Sequence, residues 1–394
     1  MAAQEPDAAT HGQRGWEMFR SWGSPRYFVA PMVDQSELAF RMLCRRHGAT
    51  AAYTPMLHSR LFLQDPNYRA EHFSTCEGDR PLMVQFCAND PETLLAAARI
   101  VEPHADAIDL NLGCPQRIAR RGRYGAFLMD DLPLVERIVR TCAEGLSVPV
   151  TVKIRVFPDR QKTVEYARML ERAGASLIAV HGRLREQKKS NGPDADWDAI
   201  KAVVEAVGVP VLANGNIRTL ADVHACMAYT GAVGVLSAES LLEDPALFSP
   251  RRLQPGGAFG GAQGAHLLLE YLDLVDAHPC PMRMVTGHAF RMLGAWLSEF
   301  TDLRDRLNQQ HKEFGVEDIR EIAQDVISRI EGLGRDYPVP KLSERALARM
   351  EREAAMAAAI AEQNREESSL QRIAANRAES LGNVEARRVL QAAA

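Results

Sequence analysis

Ala107-Ile108-Asp109-Leu110-Asn111-Leu112-Gly113-Cys114-Pro115 is the stretch on which the reading of this chain turns. Its first four residues are apolar apart from Asp109 and carry one β-branched side chain, which fits a short buried strand. Residues 111–115 then break that strand, because Gly113 admits unusual dihedrals and Pro115 can continue neither helix nor ladder. A strand that stops this way presents Asn111 and Cys114 at its carboxyl end. The run behind it is basic and glycine-spaced, with Arg117, Arg120, Arg121, Gly122, Arg123 and Gly125. Such a run can meet phosphate or RNA beside the thiol. A cysteine in this setting also serves as a small buried hydrophobe, so the stretch alone leaves a structural role open.

The same unit, a short apolar run that ends in a polar turn, recurs on both sides. Tyr27-Phe28-Val29-Ala30, Ala51–Thr54, Leu82–Gln85, Ala107–Leu110, Val150–Lys153, Leu177–Val180, Val211–Ala213 and Val233–Leu236 read as strands. Helical spacing occupies most of the intervals, at Ser36–His47, Pro91–Val101, Leu132–Cys142, Thr163–Ala173, Trp197–Val207 and Leu220–Tyr229. Parallel strands each returned by a helix give an α/β fold, and eight such units predict a closed (β/α)8 TIM barrel. An open doubly wound sheet is the alternative, but no G-x-G-x-x-G follows any of the strands. In a barrel the chemistry gathers just after the strands. Here Pro31 and Met32 follow the first strand and Gln85 closes the third. Asn111 and Cys114 follow the fourth, Lys153 and Arg155 the fifth, His181 the sixth. Asn214-Gly215-Asn216 follow the seventh, and Ser237-Ala238-Glu239 the eighth. Packing alone does not account for polar groups at one end of so many strands.

The organisation read from the sequence is a leader at 1–25, a barrel at 26–250, a linker at 251–265, a helical domain at 266–335 and a tail at 336–394. The leader is polar and acid-bearing through Gly15, with a short aromatic segment, Trp16, Phe19 and Trp22, behind it. The linker rests on the glycines of RRLQPGGAFGGAQGA. Leu267–Val275, Met282–Phe300, Leu303–His311 and Val316–Ile330 have helical period with no strands between them, which predicts a small all-α bundle. The Ala-, Glu- and Arg-rich tail reads as an extended helix or a disordered segment.

Composition excludes several classes. The chain has 394 residues, of which 46% are hydrophobic and 25% charged, as in a water-soluble globular protein. A net charge of −4 excludes a uniformly basic nucleic-acid coat but not a local basic face. Seven scattered cysteines without C-x-x-C spacing argue against a disulfide framework or a metal site. No apolar run approaches the roughly 18 residues of a membrane span. With a polar, acid-bearing N-terminus, the expectation is a monomer of the cytoplasm, and also of the nucleus.

Leu110-Asn111-Leu112-Gly113-Cys114-Pro115-Gln116 closely resembles the active-site motif of the tRNA-dihydrouridine synthases. Its extension through Tyr124-Gly125-Ala126-Phe127-Leu128 looks like the eukaryotic branch that modifies uridines 16 and 17 of the D-loop. The resemblance runs from about Phe28 to Phe248 and implies an FMN-dependent, NADPH-driven oxidoreductase acting on tRNA. It assigns the FMN site to Pro31, Met32, Val33, Gln85, Lys153, His181, Asn214, Gly215, Asn216, Ala238 and Glu239. Asn111 and Arg155 would face the target uracil, with Cys114 as general acid. The residues suit those roles. Lys153 can stabilise an anionic reduced flavin, Gln85 offers a donor and an acceptor, and Pro31–Val33 can pack along the ring. The two glycine- and alanine-bearing turns expose amides to a phosphate. Bacterial relatives carry Gly-Arg in place of Ala238-Glu239 and Asp in place of Asn216, so Glu239 must point away from the phosphate.

The mechanism implied is hydride addition from reduced FMN to C6 of uracil and a proton from Cys114 to C5. The uridine must be flipped out of its stack to reach the barrel mouth. Gln187-Lys188-Lys189 falls where the family has a mobile basic loop. Arg283, Arg291, Arg304, Arg306 and Lys312, with the segment around His278-Pro279-Cys280-Pro281, Val285, His288 and Phe290, are candidates for the tRNA-binding region. Two rival readings are a flavin-dependent barrel acting on a free pyrimidine and an RNA-binding relative that has lost catalysis.

Overall fold

The computed structural model describes residues 8–187, 194–254, 260–309 and 314–333. Lys188 and Lys189, Lys312, part of the glycine-rich linker and the tail at 336–394 lie outside the described residues.

The eight barrel strands are β1 (Tyr27–Val29), β2 (Ala51–Tyr53), β3 (Leu82–Cys87), β4 (Ala107–Leu112), β5 (Val150–Val156), β6 (Ala175–Leu184), β7 (Val211–Asn214) and β8 (Gly234–Ser237). Every neighbouring pair is parallel, and β1 pairs with both β2 and β8, so the sheet closes. A two-residue segment, Leu57–His58, adds a short parallel ladder beside Phe86 and Cys87. The (β/α)8 barrel read from the alternation of periods is the fold observed. Strands run past their expected ends where polar residues close them. β4 extends through Asn111 and Leu112, and β5 through Arg155 and Val156.

Return helices begin where the chain supplies a cap. Asp90, Asp131, Asp159 and Asp196 each accept backbone N–H bonds from the first turn of the helix that follows. Thr219 and Asp222 form a reciprocal capping box ahead of Leu220–Thr230. These caps satisfy helix donors that burial would otherwise leave unpaired.

The barrel floor is apolar. Phe28, Tyr53, Met83, Leu177, Leu212 and Leu236 form one buried cluster there. It is sealed by a helix, Ala8–Ser21, which periodicity in the sequence does not reveal. Phe19 of that helix enters the cluster, and Trp16 donates its indole N–H to the Gly208 carbonyl at 2.8 Å. A Cβ on Gly15 would stand 2.6 Å from the Ser176 carbonyl oxygen, so the helix can approach only because that position is bare. The opposite end of the barrel is left for chemistry.

After the barrel come helices Gln263–Ala277, Met282–Met292, Gly294–Leu297, Thr301–Asn308 and Val316–Gly332. The single helix expected over Met282–Phe300 is interrupted at Leu293, where Gly294 gives the chain little reason to continue. Ile319, Ile322, Ala323, Val326 and Ile330 form the buried stripe of the last helix, which packs on Gln263–Ala277. Glu37, just before the Leu38–Arg46 helix, accepts from Tyr271 Oη at 2.7 Å and pairs with His288 Nε2 at 3.1 Å, which ties the barrel to these helices.

Candidate active site

Side chains on a strand alternate between faces, so Asp109 and Asn111 of β4 share a face, as do Thr151 and Lys153 of β5. The register sets Asp109 beside Thr151 and Asn111 beside Lys153. Three of the sequence-named groups form one connected chain. Asn111 Nδ2 donates to Gln85 Oε1 at 2.8 Å. Asn111 Oδ1 accepts the backbone N–H groups of Gly113 and Cys114, at 3.1 and 2.9 Å. Asn111 therefore fixes the turn that carries the cysteine. Gln85 is fully buried and spends its amide on Asp109 and Asn111.

The cysteine loop is also held from its far side. Ala126 N donates to the Cys114 carbonyl at 3.0 Å. Gly125 lies in the left-handed region at φ 64°, and a Cβ there would meet the Cys114 carbonyl oxygen at 2.7 Å. The glycine is required twice over, by conformation and by contact. Cys114 packs beside Cys87, Ala119 and Tyr124. Burial raises its pKa, and this outweighs a backbone hydrogen bond and the charges of Arg155 and Lys153, which act to lower it. The group is a thiol, not a thiolate, at neutral pH.

The cations nearest the thiol are themselves built in. Lys153 Nζ donates to Asn214 Oδ1 at 2.8 Å, and Asn214 Nδ2 donates to the Leu236 carbonyl at 3.0 Å, so β5, β7 and β8 are joined at their ends. Burial lowers Lys153 to about 8, Arg155 acts in the same direction, and Asp109 opposes it. Arg155 donates to the carbonyls of Gly113 (2.8 Å), Leu184 (2.8 Å) and Gln187 (3.0 Å). Burial and Arg183 bring it down to about 10.

A second group forms around the turn after β7. Gly215 (φ 112°) and Asn216 (φ 60°) are successive left-handed residues. A Cβ on Gly215 would lie 2.6 Å from the Ala195 Cβ and 3.1 Å from His181 Cδ2. His181 is held well below its ordinary pKa by burial and by Lys153, Arg155 and Arg183, so its ring is neutral. The Asn216 side chain accepts from Arg183 at 3.1 Å and from Ala195 N at 3.0 Å, and it also meets Asp194. It braces the turn, which leaves the backbone to meet a ligand. Arg183 Nε is buried and has no hydrogen-bond partner among the described residues.

A family model described as "Dihydrouridine synthase (Dus)" matches residues 28–305, from the second residue of β1 through the rest of the barrel and the first helices beyond it. The chain belongs to the dihydrouridine synthase family. A Rattus norvegicus protein named "tRNA-dihydrouridine(16/17) synthase [NAD(P)(+)]-like" is 52% identical over 297 residues, covering 75% of this chain and 66% of that protein. Its Mus musculus counterpart is also 52% identical, and the aligned part is 61% of its length. The Schizosaccharomyces pombe "tRNA-dihydrouridine(16/17) synthase [NAD(P)(+)]" is 44% identical over 304 residues, with 75% of this chain and 76% of that one covered. The chain thus spans slightly less than two-thirds of the two rodent relatives' length.

The remaining sequence-named residues sit at the same mouth without joining either network. Met32 is fixed by Ser36, which accepts its N–H at 3.0 Å, while Val33 is 57% exposed. Ala30 N reaches the Ser237 carbonyl at 3.0 Å, which places Pro31 beside the end of β8. Ala238 precedes a five-residue helix, and the Glu239 side chain is exposed. Arg117, Ile118, Arg120, Arg121 and Arg123 are exposed around the short helix Arg117–Gly122. Sequence reasoning misses Asp109, Thr151 and Arg183 as functional candidates. Arg183 is visible there only as a neighbour of His181, and Asp109 looks like an interruption in an apolar strand. Among the described residues, no group of three or more His, Cys, Asp or Glu side chains could hold a metal ion, and no helix is long and apolar enough to cross a membrane.

Proposed function

We propose that this chain is an FMN-dependent, NAD(P)H-driven tRNA-dihydrouridine synthase that reduces uridines of the D-loop, positions 16 and 17. The observation that carries the reading is a protonated thiol, Cys114, held by Asn111 at a strand end beside Lys153 and Arg155. The residues suit FMN on structural grounds. Arg183 Nε is an orphaned buried donor beside a turn of two left-handed residues, as an anion site requires. Gly215 leaves a place where only backbone fits. Lys153 brings positive charge to the centre of the mouth. The candidate FMN set is Pro31, Met32, Val33, Lys153, His181, Asn214, Gly215, Asn216, Ala238 and Glu239, while Gln85, fully buried with its amide engaged by Asp109 and Asn111, acts through Asn111. Arg183 joins that set, and Glu239 contributes through its backbone.

FMN, when bound, supplies the hydride that adds at C6 of uracil. Cys114 gives its Sγ proton to C5, so the C5–C6 double bond is lost and one hydrogen is gained at each carbon. Burial keeps that proton on sulfur until the carbon needs it. Cys114 then recovers a proton from solvent. Asn111 and Arg155 line the place of the flipped base, with Asn111 also holding the cysteine turn. The exposed arginines after Cys114 and the similarity to proteins named for positions 16 and 17 support tRNA as the substrate.

The test is mapping of dihydrouridine in tRNA incubated with the purified yellow protein and NADPH. Product at positions 16 and 17 is expected. Turnover of free uracil with none on tRNA would overturn the reading.

A further inference from the structure

Asp109 is wholly buried in the middle of β4, two residues before Asn111, the other polar side chain of that strand. A carboxylate there is costly unless its hydrogen bonds are used. It accepts from Gln85 Nε2 at 2.8 Å through one oxygen and from Thr151 Oγ1 at 2.6 Å through the other. From Gln85 the chain continues to Asn111 and ends on the backbone N–H of Cys114.

We infer that Asp109 is a positioning residue for the cysteine, because an acceptor-only group at the root dictates which way each amide in the chain points. A carboxylate can only accept, so Gln85 must turn Nε2 toward it and Oε1 away. Gln85 Oε1 then calls for a donor, and Asn111 must offer Nδ2. That leaves Asn111 Oδ1 facing the Gly113 and Cys114 N–H groups. Reversing any one amide would set donor against donor or acceptor against acceptor somewhere along the line. The donors at the cysteine end and the acceptor at the Asp109 end specify the same polarity, and this keeps the turn in one arrangement. The competing explanation is that Asp109 acts only as a counter-charge to Lys153.

The inference rests on the synthase reading for its consequence but not for its geometry, and the experiment separates the two. Full-length protein would be made as wild type, Asp109→Leu and Asp109→Asn. Amide exchange at Gly113 and Cys114 would be followed without tRNA, and dihydrouridine formation would be measured with it. Leucine removes the acceptor at similar volume. Asparagine removes the charge but keeps an oxygen for Gln85, while the Thr151 hydroxyl turns to accept from its Nδ2. The leucine variant should exchange those two amides about tenfold faster or more. It should also lose about tenfold or more in kcat, as misplaced catalytic groups do, with KM for tRNA changed little. The asparagine variant should resemble wild type in both. Equal losses in the two variants would mean that charge is what matters and would overturn the inference, as would full protection in the leucine variant. Should leucine prevent folding, loss of amide protection in the asparagine variant still overturns it. Wild-type protein that shows the exchange pattern but forms no dihydrouridine would leave Asp109 in its role and remove the synthase reading instead.

Discussion

Glu37 and His288 stand 251 positions apart in the chain, yet their side chains meet at 3.1 Å in the buried seam between the barrel and the helices that follow it. Phe40 stacks on the imidazole, with ring centroids 4.3 Å apart, and Tyr271 donates to the other carboxylate oxygen. Arg283 adds an exposed pair to Asp34 in the turn after β1. The helices are therefore fastened to the turn holding Met32 and Val33, not merely tethered by chain.

Removing one member of that seam should loosen the attachment. Burial raises the Glu37 carboxyl pKa, but His288, Tyr271 and a backbone bond together bring it below the ordinary 4.5. A depressed folded-state value stabilises the fold above the unfolded pKa and loses that contribution as pH falls through the folded one. Glu37→Ala is expected to cost about 1–3 kcal/mol, the usual result of leaving buried groups, here Tyr271 Oη and His288 Nε2, without their hydrogen-bond partner. Thermal unfolding would measure it, and the difference from wild type should shrink below pH 4.5. An unchanged Tm at neutral pH would contradict the argument.

How much of this is legible in the sequence depends on what each residue's neighbours can reveal. The barrel is readable because Tyr27–Val29 and its seven counterparts each break at a turn, most of them with a helix behind it. The cysteine turn is readable because Asn111, Gly113 and Pro115 act locally. The sealing helix is not, since Gly12, Gly15, Trp16 and Phe19 make sense only against Gly208 and Ser176, far along the chain. Gln85 reads in sequence as a pair of polar groups for a ligand, and its engagement by Asp109 and Asn111 depends on strand register that periodicity does not supply. Asp109 and Arg183 escape for the same reason. Their meaning lies in partners on other strands or turns.

Gly125 offers a sharper test of the cysteine loop. In Gly125→Ala the new Cβ would press on the Cys114 carbonyl oxygen at 2.7 Å and on the Cys114 Cβ at 3.0 Å, at a φ of 64°. Strain of about 1–3 kcal/mol is expected from the backbone conformation alone. The turn would relieve it by moving the sulfur, so dihydrouridine formation should fall further than stability does. Normal turnover with a lowered Tm would show that the thiol tolerates displacement.

The pH dependence should separate the two halves of the reaction. Lys153, lowered by burial to about 8, is cationic below that value and loses its charge as pH rises through it. Cys114 is raised above its ordinary 9.0, so its proton is retained over the same interval. NADPH-dependent bleaching of the flavin should therefore slow above about pH 8, while reoxidation of pre-reduced protein by tRNA persists. For stability the Lys153 pH dependence has the same sign as that of Glu37, but the charged form is a cost here and not a gain. The native state binds fewer protons than the unfolded chain between about 8 and 10.5, so this residue's cost is full below 8 and is relieved as pH rises. Stopped-flow measurement across this range checks the kinetic claim, and a common fall of both steps near pH 8 would defeat it.

The arginines around the Arg117–Gly122 helix should act through phosphate. Arg117, Arg120, Arg121 and Arg123 are all exposed, on the segment that begins three residues after Cys114. Replacing Arg120 and Arg121 by alanine should weaken tRNA binding and flatten its salt dependence. The log–log slope should change by about 0.9 for each phosphate no longer neutralised on a duplex, and by about 0.7 on a single strand. Flavin content should not change. Filter binding across a salt series reads the slope, and an unaltered slope would move the RNA to another face.

Gly215 tests the anion site independently of RNA. The glycine sits at φ 112°, its position closed to a Cβ by Ala195 at 2.6 Å and by His181 at 3.1 Å, while Asn216 beside it is pinned through Arg183 and Ala195 N. In Gly215→Ala the turn must shift away from His181, and the successive N–H groups lose their common direction. The buried Arg183 Nε then lacks the acceptor that its place implies. Purified protein is expected to carry little flavin and to bind added FMN at least tenfold more weakly, a difference of about 1.4 kcal/mol. Arg183→Lys keeps the charge but loses the fixed fork of donors, so it should weaken binding less than the glycine change does. Fluorescence titration with FMN and with riboflavin distinguishes the cause. A defect confined to the phosphorylated form places the phosphate at this turn, whereas equal loss of both ligands would mean that the turn supports the ring and the phosphate lies elsewhere.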